Sequence, residues 1–144
     1  MTTAESDRKT GKPFSRYLPH IARILLGLPF FVFGLNGFLQ FMPKPKTVPE
    51  NVMAFMKGMT STGYMMPLIF GTQLLVGVLL LANLFVPLAL ALIAPVIVNI
   101  ILFHAFLSPS GIAPGIILLV LELYLAWAYR SAFRPMLAPR TTPT

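Results

Sequence analysis

Four uninterrupted apolar runs divide this chain, over about 17–41, 64–82, 84–107 and 112–130. Each holds roughly the 17 to 25 residues that a helix needs to cross a hydrocarbon core. The runs are continuously apolar rather than alternating, which selects helices over a lipid-facing barrel. Charged residues make up 10% of the chain, against about a quarter in soluble domains. Away from the ends of the runs, Arg23 and Glu122 are the only charges inside them. The expected fold is all-α: a polytopic membrane protein, built as a four-transmembrane-helix bundle. The first run is full length and ends in bulky Phe41 and Met42, so it is expected to be a retained span rather than a cleaved signal.

The basic residues set the expected orientation. Arg8, Lys9, Lys12, Arg16 and Arg23 at the front, with Arg130, Arg134 and Arg140 at the back, outnumber Lys44, Lys46 and Lys57 in the loop after the first run. The positive-inside rule then puts both termini in the cytoplasm. The chain divides into a basic tail at 1–16, a membrane domain at 17–130 and a second tail at 131–144. A net charge of +7 invites a nucleic-acid reading, but the charges sit at span ends, where anionic lipid headgroups are the natural partners. No nucleic acid is expected. There is no cysteine, so thiolate nucleophiles, thiolate metal sites and dithiol relays on this chain are excluded.

The loop at 42–63 has its own pattern. Thr47-Val48-Pro49-Glu50 reads as a capping box, and Val52, Met53, Phe55, Met56 and Met59 follow at helical spacing. This predicts a short amphipathic helix in the first outer loop, ending near Ser61-Thr62-Gly63 and serving either as an interfacial rest or as a lid. Pro87 and Pro95 are expected to interrupt the third span, and Gly27, Gly34 and Gly37 to permit close helix approach in the first.

Polar side chains in a span are costly and need a reason. Arg23 lies six residues past Tyr17 and Glu122 eight before Arg130, roughly 9 Å and 12 Å in from the same side. A buried Arg23–Glu122 pair joining the first and last spans is expected, with Gln73 completing the cluster. The group would act either as a brace or as a site for a quinone carbonyl or a proton. A second, outer cluster comprises Asn36, Gln40, Asn99 and His104, read as interhelical hydrogen bonding or as a ligand contact. His20 and His104 sit at opposite edges, so they cannot share a haem, and the spans offer too few ligands for a metal. No bound cofactor is expected, a quinone being the one exception the layout allows.

The runs Ala22-Arg23-Ile24-Leu25-Leu26-Gly27 and Gly34-Leu35-Asn36-Gly37-Phe38 resemble the first span of the DoxX family of small bacterial membrane proteins. The similarity continues through Phe85-Val86-Pro87-Leu88-Ala89-Leu90, Ala94-Pro95-Val96-Ile97-Val98-Asn99, Phe103-His104 and Leu121-Glu122-Leu123-Tyr124-Leu125-Ala126-Trp127. The resemblance implies four membrane helices in a bacterial inner membrane and an association with redox systems, such as a thiosulfate:quinone oxidoreductase. Gln73 stands where such members often carry a glutamate, which removes a titratable group. The resulting expectation is a non-catalytic or accessory subunit of a respiratory or redox complex. The alternatives are a quinone-binding subunit of an oxidoreductase, and a small transporter or channel acting as a homo-oligomer.

Overall fold

A computed structural model describes residues 13–143, all of whose regular elements are helical. The sequence expectations that rest on Arg8, Lys9 and Lys12 lie outside the described residues. The elements are α1 (Pro13–Leu39), α2 (Glu50–Ser61), α3 (Met65–Ala82), α4 (Val86–Phe106), a 3-10 turn (Pro109–Gly111), α5 (Ile112–Ala128) and α6 (Arg130–Phe133). Four of them, with the 3-10 turn joined to α5, are long and apolar enough to cross a membrane. The fold is therefore a four-helix polytopic membrane bundle. Neighbours in the bundle run α1–α3–α4–α5, and α5 returns to α1 to close the ring.

The α1–α3 contact is the most extensive, and two glycines explain it. A Cβ added to Gly34 would overlap the backbone of Leu74, and one added to Gly77 would overlap the backbone of Phe31. The two backbones touch, which is how small residues drive association where lipid offers no hydrophobic incentive. These contacts fix an antiparallel register, with Gly34 level with Leu74. Of the other glycines expected to bring helices together, Gly37 faces the ring of Phe70.

Between α3 and α4 the chain turns in three residues. Asn83 takes a left-handed conformation (φ 59°), and the Leu84 N–H reaches the Leu79 carbonyl at 2.9 Å, a Schellman closure of the kind asparagine favours after glycine. Pro87 falls in the first turn of α4, where a missing N–H costs nothing. It does not interrupt the span as expected; Pro95 alone lies within that helix. α1 also runs without a break through Pro19 and Pro29.

The short amphipathic helix exists, as α2, and ends at Ser61 as its sequence predicts. The capping box does not form. The N-cap is Pro49, with no side-chain cap bond. A cap at Thr47 would require Val48 to be helical, and the following proline disfavours that conformation. α2 is docked on the bundle: Val52 is buried, Phe55 lies 5.4 Å from the Phe103 ring, and Asn51 Nδ2 donates to the Leu107 carbonyl at 3.2 Å.

The buried core is not spread evenly. Ala22, Leu26, Phe30, Val76, Leu80, Val86, Ala89, Leu90, Ile93, Ile97 and Leu125 form one cluster. They run from the α3–α4 turn to about the middle of the bundle, which Ile97 reaches. At the other end, beneath α2, lie two cavities.

Candidate functional site

Among the described residues three polar side chains are more than nine-tenths buried: Arg23, Gln73 and Glu122, with relative exposures of 7%, 9% and 5%. Each leaves a fully buried polar atom without a hydrogen bond: Arg23 Nε, Gln73 Oε1 and Glu122 Oε2. The sequence grouped them as one cluster. The structure does not.

Arg23 donates through Nη1 to the carbonyls of Leu80 and, at 3.3 Å, Leu81. No ion pair joins it to Glu122 among the described residues. The last carbonyls of a helix have no intrahelical partner and carry the negative end of its dipole. The end of α3 therefore offers acceptors in the right place, and the guanidinium takes those. Glu122 stays six residues inside the end of α5 at Ala128, about 9 Å along its axis. Arg23 is thus a clamp between α1 and α3, in place of the expected pair with Glu122.

Gln73 is misplaced by the expected cluster too. The α1–α3 register puts it level with Gly34, eleven residues or about 16 Å along α1 from Arg23. It lines a cavity of about 190 Å³ with Asn99 and His104, residues of the expected outer cluster. The rest of that lining is apolar, and includes Phe55, Met56 and Met59 of α2, Met66 and Phe70 of α3, and Phe103 of α4.

Helical spacing explains why these residues converge. Met66, Phe70 and Gln73 stand at i, i+4 and i+7 on α3, while Val96, Asn99, Ile100, Phe103 and His104 form one stripe on α4. Such positions share a helix face. His104 Nδ1 lies 3.0 Å from the Ser108 carbonyl. A carbonyl can only accept, so Nδ1 carries a proton and Nε2 is left without a hydrogen bond among the described residues.

Asn36 does not join Asn99 and His104 as expected. Its Oδ1 accepts the Met42 N–H at 2.8 Å, closing the exit of α1 where Gln40 adopts φ 50°. Asn36 and Gln40 line a second, larger cleft of about 650 Å³ between α1, the following loop, α2 and α3. Met56, Met66 and Phe70 line both spaces. Sequence reasoning missed these shared residues and Lys44 on the cleft wall. The periodic stripe on α3 was the signal for two of them.

A packed half, a tight α1–α3 seam and a partly polar cavity at one end define a polytopic membrane protein with a small lined space under a docked helix. The DoxX family model matches residues 18–105, and the chain belongs to that family. The Leu121–Trp127 stretch lies beyond the matched residues. No curated protein and no solved structure matches the chain.

Proposed function

We propose that this chain is a non-catalytic, accessory membrane subunit working beside a redox partner, and that it holds a lipid-soluble molecule of the quinone class under α2. The observation that carries this reading is Gln73. Its amide is nine-tenths buried, has no protein partner for Oε1, and stands on the wall of an otherwise apolar cavity. Buried amides are normally paired, and an orphan beside a cavity is accounted for by a ligand. Asn99 and His104 add polar groups on the same wall, so a carbonyl-bearing ring on an apolar tail suits it. The quinone site thereby moves from the Arg23–Gln73–Glu122 group to Gln73, Asn99 and His104.

The protein sits in a bacterial inner membrane with α2 outward and the termini in the cytoplasm, as the basic residues favour. Gentle-detergent purification tests the assignment. A redox protein and an extractable quinone should co-purify with the wild type, and Gln73→Leu should lose the quinone while keeping the protein partner. A lone homo-oligomer without quinone would favour transport instead. Orientation is tested separately: a cysteine replacing Lys46 should be labelled from outside and one replacing Thr141 only from the cytoplasm.

A further inference from the structure

We infer that the larger cleft is a binding site for an anionic phospholipid of the leaflet on the α2 side, with an acyl chain inside and the phosphate at Lys44. This site is distinct from the cavity of Gln73 and does not depend on a redox role.

Three observations converge. The first is size: about 650 Å³ falls within the roughly 300 to 1,000 Å³ that ligand sites occupy. The second is lining. Phe33, Val52, Met56 and Phe70 make an apolar wall at the end of α1, where a span meets the headgroup layer. The third is the polarity of the wall's hydrogen-bonding groups. Lys44 is the charged residue lining the cleft, and an ammonium only donates. Asn36, whose oxygen accepts the Met42 N–H, and Gln40 line the same cleft, and each has an NH2 to donate. A cation and two amides able to donate, beside an apolar slot, suit a ligand that is apolar along its length and acceptor-rich and negative at its head.

A phospholipid with a net negative head meets all three conditions and is already dissolved in the surrounding bilayer. A second copy of the chain does not, because it would bring the same loop of Lys44, Lys46 and Lys57 against itself.

The test uses the full chain in vesicles of phosphatidylcholine mixed with phosphatidylglycerol, followed by native mass spectrometry of the released protein. Wild type should retain phosphatidylglycerol over phosphatidylcholine by about fivefold, the factor one basic residue contributes near an anionic surface. Lys44→Gln should keep a bound lipid but lose the preference. Val48→Trp, which fills the cleft from its half-buried position, should lose the lipid altogether. Lys57→Gln is the control: Lys57 does not line the cleft, and the preference should survive. Equal retention of both lipids by the wild type would overturn the assignment. So would an equal loss of preference in Lys57→Gln, which would mean diffuse surface charge. A Val48→Cys chain that forms a disulfide-linked dimer in vesicles would put a second copy in the cleft and also refute it.

Discussion

The two ends of the bundle are built by opposite rules. At the α3–α4 turn the helices meet on an apolar cluster, the connection takes three residues, and Arg23 is tied to the carbonyls that end α3. At the α2 end two cavities lie among the helices, the connections lengthen, and Val52 is the buried apolar residue that the covering helix contributes. The contrast says where rigidity and where ligand space belong. A bundle in lipid gains nothing from hiding apolar surface as such, so it holds together through close packing and hydrogen bonds. This one gathers its buried apolar core at one end and leaves cavities at the other, able to hold something else.

Substitutions should separate the ends. The largest effect is expected at the α1–α3 seam. Gly77→Leu forces a side chain into the backbone of Phe31, which cannot move aside, and overpacking of this kind costs about 3 kcal/mol. The measure is unfolding in bicelles, and a loss below about 1 kcal/mol would mean that the two backbones are not in contact. Next comes Arg23→Leu, which strips two carbonyls of a charged donor and should cost about 2 kcal/mol. Combining it with Glu122→Leu sharpens the point. Because the structure joins the two side chains by no bond, a double-mutant cycle should return a coupling within about 0.5 kcal/mol of zero. A large coupling would restore the pair expected from depth alone.

At the open end the same logic gives smaller numbers. Gln73→Leu removes an amide with no protein partner, so stability should hold steady or rise by up to about 1 kcal/mol while ligand is lost. A marked loss of stability would show that the amide braces the bundle. The smallest effect belongs to Asn51→Ala, which deletes the exposed bond to the Leu107 carbonyl and the local one accepted from the Val52 N–H, and costs about 0.5 kcal/mol. Its reading is local: amide exchange should quicken across α2 and stay unchanged in the seam of α1 and α3.

Much of this architecture is legible in the sequence because the bilayer constrains it so strongly. Span number and helix type follow from the length and continuity of the apolar runs, and α2 from the spacing of Val52, Phe55, Met56 and Met59. The partners of the polar groups were harder to read. Counting residues inward from Tyr17 and Arg130 gives a rough depth, but depth says nothing of which helices adjoin or in what register. Arg23 had a competitor that no side-chain tally contains, the backbone carbonyls at the end of α3. Gln73 was assigned by depth to the wrong group, although its i+7 spacing from Met66 already put it on the face that runs toward α2. Asn36 was read as a member of a shared polar cluster, whereas its work is local and completes the exit of α1. The capping box failed for a reason that was visible in the sequence: Pro49 restrains Val48.

Three methionines, Met56, Met59 and Met66, face the space under α2. Their unbranched thioether chains repack at little cost, so the wall can take the outline of differently shaped guests. The same atoms are open to oxidation, and a sulfoxide turns a soft apolar contact into a polar, chiral one. Peroxide reaching this pocket would therefore change which molecules fit it while leaving the packed half, whose cluster contains no methionine, untouched. The material of the wall makes the open end chemically perishable and the closed end durable.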